Sequence, residues 1–391
     1  MRRIGTSIAC AVVIAGLATA VGACGSDNSG ASGSGASGGG ASGGADVTAA
    51  VAKAKATAQQ WLAAPSQWGG PSDGPKPTAG KRVAIISCSQ ATEGCNRPTR
   101  SAVEAAKTIG WKPTVLDGKG EPSAQLAAAN AAVDARYDAI IIILVDPTNL
   151  SEAMTKAKAA NIPIVTLGAP AYSKERAALN WIPDISHDWL KTGDVLADYM
   201  IWKSNGKVDA LMLHDSSTLV VDQGQYKGSY RTLTDKSKCP DCKVTVKDFT
   251  QATLTSQPAQ DAVATIQANP KINWVWCYDF CLQESVQKLK SAGLGQDLLG
   301  AGFDCNAANL QLMRNKVIQT VCVADPRDWE AWATIDQANR LVQGQKAADE
   351  KIPFLLVDRD TLGKLTPDDL AKGWQGGLDY KSQFKKIWGV A

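Results

Sequence analysis

The segment Ala139-Ile140-Ile141-Ile142-Ile143-Leu144-Val145 is uninterrupted by any polar residue and is mostly β-branched. Such a run has no side to turn to water. It predicts a strand buried on both faces, as in a parallel sheet covered by helices. Its neighbours repeat the signal. Val83-Ala84-Ile85-Ile86 predicts a strand and Arg97 to Ile109 an Ala-rich helix. Val115 and Leu116 mark a second strand, Ser123 to Ala135 a helix, Leu150 to Ala160 a helix, and Ile162-Pro163-Ile164-Val165 a strand. Short strands alternating with helices of this length are βαβ units.

The alternation then starts afresh. Helices are expected over Trp189–Trp202, Gln223–Leu233, Pro258–Ala268, Leu282–Ala292, Asn306–Met313 and Trp329–Val342. Between them lie strands at Val208–Leu213, Val244–Asp248, Ile272–Tyr278, Leu298–Phe303 and Val317–Val323, with a late one at Pro353–Val357. The fold class is therefore α/β, with two doubly wound parallel-sheet lobes between Lys81 and Ala391. In open sheets of this kind, ligands bind outside the carboxyl ends of the strands. Two facing sheets would make a cleft rimmed by Ser87–Gly94, Asp146–Asn149, Gly168–Ala171, His214–Ser217, Tyr278–Phe280, Asp304 and Ala324–Pro326.

The N-terminus states where such a protein works. Arg2 and Arg3 precede a short apolar run, Ile8 to Val21, which is less than the roughly 20 residues a membrane span needs. Residues 1–23 read as a secretory signal ending in Val21-Gly22-Ala23-Cys24, which resembles the lipobox of bacterial lipoproteins, in which the cysteine is lipidated. Residues 24–45, almost all Gly, Ser and Ala, form a tether with a root-mean-square reach of about 25 Å. Residues 46–80 are an accessory helix, with Asp46 as its N-cap and Val51, Ala54, Ala58 and Leu62 at helical spacing, followed by a Pro/Gly-rich linker. The net charge of +3 includes Arg2 and Arg3. Without them about +1 remains, too little for the broad basic surface of a nucleic-acid binder. With only His187 and His214 in the chain, no His-rich metal site is expected.

The segment Ile140–Asn149, followed by Lys156–Thr166, resembles the type I periplasmic binding proteins of the ribose/sugar cluster. So do Gly302-Phe303-Asp304 after a strand, the later helix led by Pro326, and Trp276-Cys277-Tyr278-Asp279 at a strand end. The resemblance covers Lys81 to the C-terminus. It implies two lobes joined by three crossovers, near Gly168–Lys174, Val323–Arg327 and Gln343–Ile352, closing on one small ligand. The first lobe would comprise 81–170 plus 325–347, and the second 171–324 plus 348–391. It also implies ligand contacts among Ser89, Gln90, Glu93, Asp146, Asn149, Gln225, Tyr278, Asp279, Asp304 and Asp325. Asp279 and Asp304 match acidic positions that accept hydroxyl hydrogen bonds from sugars, and Asn149 a third polar position.

Three departures stand out. The first loop, Ser89 to Cys95, lacks the family's Asn-Pro-Phe-Phe aromatics. Gln225 stands where an arginine is usual, and Ala324 where a glutamine is usual. The twelve tryptophans offer replacement stacking surfaces, with Trp181, Trp276, Trp329 and Trp332 the candidates, and leave a cyclic or aromatic ligand as an alternative to a sugar or polyol.

Of ten cysteines, Cys10 lies in the signal and Cys24 at the anchor. The others fall into neighbouring pairs, Cys88/Cys95, Cys239/Cys242, Cys277/Cys281 and Cys305/Cys322, although eight cysteines allow 105 pairings. Cys239-Pro240-Asp241-Cys242 has no second CxxC and no nearby histidine, which favours a turn staple over a zinc or redox site. Three pairs would sit at strand ends and brace the binding loops.

The leading expectation is a lipid-anchored, monomeric solute-binding protein on the outer face of the cell membrane, delivering a small molecule to the permease subunits of an ABC importer. No cofactor, metal or nucleic acid is expected. No phosphate-binding loop or nucleophile elbow is present, and Glu93, Asp146, Asp279 and Asp304 read as hydrogen-bond acceptors rather than glycosidase acids. The same module serves lactose-repressor-like sensors, but those carry an N-terminal DNA-binding motif and no export signal. A receptor for a membrane kinase or chemoreceptor is the alternative partner assignment.

Overall fold

The computed structural model describes residues 42–390. The signal segment, Cys10, Cys24 and residues 24–41 of the tether lie outside the described residues.

Five strands build the first sheet: β1 (Arg82–Ser87), β2 (Lys112–Asp117), β3 (Ala139–Ile143), β4 (Ile164–Leu167) and β5 (Asp184–Ile185). They are parallel, in the order β2-β1-β3-β4-β5. The all-apolar β3 lies beside β1 and β4 with every residue buried. Helices Pro122–Asp134 and Ser151–Ala159 cover one face through Ala129, Ala132, Ala153 and Ala157. Helices Glu93–Thr108 and Arg327–Val342 cover the other.

The second sheet comprises β6 (Asp209–Asp215), β7 (Lys243–Phe249), β8 (Trp274–Trp276), β9 (Leu299–Asp304), β10 (Gln319–Ala324) and β11 (Leu355–Asp358), in the order β11-β10-β9-β8-β6-β7. All pairings are parallel except β10–β11. β11 re-enters from the first lobe beside the carboxyl end of β10, with Leu355 opposite Ala324, so it must run down the sheet. A strand arriving by a helical crossover on its own sheet would have started at the other end.

Three crossings join the lobes between β1 and β11. The first comes at Ser186–Asp188, later than the expected Gly168–Lys174, because the short β5 extends the first sheet before the chain leaves it. The second is Asp325–Pro326, and the third runs through residues 343–354.

The terminal segments add two more connections. The accessory helix starts at Ser42, inside the stretch read as tether, so Asp46 is not its cap. Its Ala54 and Ala58 are buried in the second-lobe core against helix Trp189–Lys203. Trp61 then stacks on Phe354 with centroids 3.8 Å apart, and its carbonyl accepts from Leu356 N at 2.7 Å. A few residues on, Trp68 packs in the first lobe, and the carbonyl of Pro75 accepts from Asn339 Nδ2 at 2.7 Å. At the other end, helix Tyr380–Trp388 buries Tyr380, Phe384 and Trp388 in the first-lobe core. The sequence reading gave 348–391 to the second lobe. The aromatic stripe of this helix instead meets Trp332, with Trp388 stacked on it at 5.5 Å.

Candidate functional site

The carboxyl ends of both sheets face a cavity of about 470 Å³. From the first lobe come Cys88, Ser89, Thr92 and Glu93 after β1, and Leu144, Asp146 and Asn149 after β3. The second lobe contributes Ser217, Thr218 and Gln225 after β6, Gln251 after β7, Tyr278 and Phe280 after β8, and Asp304 and Asn306 after β9. Arg327, at the second crossing, completes the wall.

At the floor the lobes touch. Leu144 adopts φ 54°, a left-handed conformation costly for a side chain of its kind, and packs against the cores of both lobes. Gly168, at φ 74°, makes room for it: a Cβ there would overlap Leu144 and lie 3.8 Å from Val220. Across the floor, residues Val220–Tyr226 form a π-helical stretch that turns Val220, Val221 and Gln225 to the cavity. π-helical turns of this kind recur at functional sites.

A buried polar network sets the second-lobe wall. Asp215, fully buried at the end of β6, accepts from Ser217 Oγ at 2.7 Å and Thr218 Oγ1 at 2.8 Å. Tyr278 Oη donates to Asp215 at 3.3 Å and accepts from Gln251 Nε2 at 2.9 Å, and Gln251 also donates to Asp215. Burial, then the Asp215 charge, pushes the Tyr278 phenol well above its usual range, so it stays a donor. Asp304 and Cys305 both have positive φ, 75° and 49°, which turns the chain sharply at the end of β9. The Asp304 carboxylate accepts from Arg327 Nη2 at 2.8 Å.

Of the residues expected to meet ligand, Ser89, Glu93, Asp146, Asn149, Gln225, Tyr278 and Asp304 line the cavity. Glu93 is half exposed and paired with Arg100 at 2.9 Å. Asp146 caps the following turn, accepting from Thr148 N at 2.9 Å. Three expected residues do not reach the wall. Gln90 turns into its own lobe, donating from Nε2 to Ser87 Oγ at 2.6 Å and from N to Asp117 at 2.9 Å. Asp279 is fully buried in the first turn of helix Asp279–Ser291 and points behind the wall, accepting from Asn306 N and from Gln319 Nε2 at 3.3 Å. Burial, with the Asp304 charge nearby, raises its pKa well above the usual carboxylate range. Asp325, also fully buried, pairs with Arg327 at 2.7 Å.

The tryptophans are not stacking platforms. Trp276, Trp329 and Trp332 are core residues, Trp181 packs on the first-lobe core beneath Lys158, and none of the four lines the cavity. Sequence reasoning missed Arg327, Gln251 and Asn306. For Arg327 a signal existed, since an arginine directly after the proline of an expected crossing is placed where the chain passes between the lobes.

Disulfides join Cys88–Cys95, Cys239–Cys242, Cys277–Cys281 and Cys305–Cys322. The first lines the cavity and encloses Ser89, Thr92 and Glu93. The third encloses Tyr278 and Phe280, and the fourth is anchored between Asp304 and Asn306, but their sulfurs are buried behind the wall rather than on its rim. Cys239–Cys242 lies at the far end of the second lobe, beside the carbonyl of Gly206. Among the described residues no cluster of histidine, cysteine and carboxylate side chains is arranged to hold a metal ion. No helix among them is long and apolar enough to cross a membrane.

Two parallel α/β lobes closing on a cavity at their strand ends define a bilobal solute-binding protein. Residues 83–346 match the family model described as periplasmic binding protein domain, and the chain belongs to that family, a class of extracytoplasmic, non-enzymatic solute-binding proteins. The ribose import binding protein RbsB of Bacillus subtilis is 22% identical over 291 residues, covering 72% of this chain and 88% of its own. A sugar ABC transporter structure from Yersinia enterocolitica superposes with a TM-score of 0.66 at 15% identity, covering 82% of this chain and 99% of that one. A 5-methylthioribose transporter solute-binding protein from Thermotoga lettingae gives 0.64 at 18% identity, covering 78% and 98%. The Actinobacillus succinogenes solute-binding protein with bound D-allose also gives 0.64 at 18%, covering 73% and 100%.

Proposed function

We propose that this protein is the lipid-anchored receptor of an ABC importer, capturing a carbohydrate-like small molecule between its lobes and presenting it to the permease subunits as a monomer. The observation that carries the ligand class is the wall itself. Asn149, Gln225, Gln251, Asp304, Asn306 and Arg327 converge on one cavity from separate elements, beside the aliphatic Leu144, Val220 and Val221. Side-chain amides and a carboxylate–guanidinium pair match vicinal hydroxyl groups, each of which donates and accepts. The aliphatic patch suits the C–H faces of a sugar ring. The relatives named for ribose import and for bound D-allose and 5-methylthioribose support the same class.

Anchoring rests on Cys24 and the signal before it. A lipidated Cys24 and a short tether would hold the receptor at the outer face of the membrane. Metabolic labelling with palmitate should mark the wild-type protein and not Cys24→Ala. Thermal-shift screening of the exported protein over pentoses, hexoses and polyols tests the ligand class. A rise in Tm with at least one of them is expected, and no shift with any of them would remove the carbohydrate reading.

A further inference from the structure

The cleft wall is short of positive charge. Arg327 is almost fully enclosed, and its guanidinium is shared by three carboxylates: Asp304 at 2.8 Å, Asp325 at 2.7 Å and Glu330 at 3.4 Å. His187 Nδ1, 2.9 Å from Glu330, is the other group in contact with these carboxylates able to carry positive charge; Arg97, which also pulls on Glu330, is neutralised by Asp328 at 2.8 Å. Even with that imidazole protonated, acids outnumber bases by one. The Trp189 ring lies 4.6 Å from the guanidinium and supplies no counter-charge to the acids. Asp325 takes up part of the excess, being partly protonated near neutral pH. Burial raises its pKa to about 7, against the pull of Arg327 and His187, with Asp304 and Glu330 adding to the rise. Asp304 and Arg327 bring this cluster to the cavity surface.

The remaining charged residues of the wall do not redress the balance. Glu121 and Asp146 are acids, Glu93 is paired with Arg100, and Lys372 is paired with Asp368. An independent observation points the same way. Gln225 is 1% exposed and lines the cavity, and its Oε1 has no hydrogen-bond partner. An acceptor buried bare has lost its water without compensation, and a donor on the solute would supply it.

We infer, resting on the carbohydrate reading above, that the cleft selects a polyhydroxylated solute carrying a protonated amine, such as an amino sugar or aminated polyol, and rejects sugar acids and sugar phosphates. An ammonium offers three donors and one positive charge, enough to serve Gln225 Oε1 and to relieve the excess at Asp304. A carboxylate or phosphate would add a further negative charge beside a guanidinium already shared by three carboxylates.

Titration calorimetry of the exported protein with the neutral, amino and uronic forms of glucose, galactose and mannose tests this. For a hexose that binds, the amino form is expected to bind about tenfold tighter than its neutral parent, with no heat from the uronic acid. Asp304→Asn should erase that difference. If that variant fails to fold, Gln225→Glu, which adds a carboxylate to the wall, should widen it. A neutral parent that binds as tightly as its amine, or a uronic acid that binds comparably, overturns the inference and leaves the carbohydrate reading standing. Silence across all nine compounds overturns the inference, and the wider screen over pentoses, hexoses and polyols then decides the carbohydrate reading separately.

Discussion

The indole of Trp68 lies flat on that of Trp329, with ring centroids 4.9 Å apart and planes 9° from parallel. Trp68 belongs to the N-terminal segment, outside the matched family domain, and Trp329 stands two residues after Arg327 of the cleft wall. The same Trp68 meets Phe384 of the C-terminal helix edge-on at 5.4 Å. Both added segments therefore converge behind the second crossing. Trp68→Ala should cost roughly 2–4 kcal/mol in urea unfolding, through lost burial and a lost stack. It should also weaken binding of any sugar found by screening, because the helix carrying Arg327 loses its backing.

The staples should separate by position. Cys277→Ser with Cys281→Ser frees the loop holding Tyr278 and Phe280, so affinity should fall by more than stability alone explains. Cys305→Ser with Cys322→Ser opens a longer loop and should cost about 3 kcal/mol. Cys239→Ser with Cys242→Ser, at the opposite end of the lobe, should leave Kd unchanged. Measuring Kd and Tm on the same three variants checks all of this, and unchanged Kd in the first would remove any role of that staple in binding.

Helices Trp189–Lys203 and Lys227–Thr234 touch through glycines. A Cβ at Gly193 would overlap the Gln225 carbonyl and lie 2.8 Å from Ser229 N, and one at Gly228 would overlap the Leu190 carbonyl. Gly193→Ala should destabilise by about 1–3 kcal/mol. It should also displace Gln225 and Val221, weakening ligand binding in the fraction that remains folded, as titration at low temperature would report.

The pH dependence has a definite sign. Asp325 has a folded pKa of about 7, well above the ordinary 3.8, so the native state holds a proton that the unfolded chain releases. Its contribution to stability is full below the ordinary value and fades as pH rises toward and through 7. Glu330 is opposite. His187 and Arg327 outweigh burial to lower its pKa, so its contribution is present at neutral pH and lost in acid. Melting temperature should therefore fall between pH 5 and pH 8, and Asp325→Asn should flatten that limb. A Tm that rises over the same interval would contradict the assignment.

Much of the fold was legible because the strands are unmistakable. A fully apolar β3 admits only a covered parallel sheet, and the strand–helix alternation repeats it twice. The C-terminal helix was missed because Tyr380, Phe384, Ile387 and Trp388 are separated by lysines and follow Gly376 and Gly377, so the stripe is short and preceded by a turn signal. The antiparallel β11 was unreadable, since direction depends on which lobe the chain returns from. At the site, strand-end polar residues could be listed but not aimed. Asp279 and Asp304 looked equivalent, yet one begins a helix and points inward while the other sits at φ 75° and faces the cavity.

Val83, in the first strand, shares a core with Trp388, close to the last residue of the chain. The lobe that begins first is thus completed last. As the chain emerges from its N-terminus, β1 to β5 have only helix Glu93–Thr108 on this face of their sheet until residues 327–342 and then 380–388 arrive. The second lobe, nearly all of whose strands lie between 209 and 324, meets most of its partners sooner. Closing contacts at so long a sequence separation makes the first lobe the slow and exposed part of folding, and places the final tryptophan as the residue that ends the exposure.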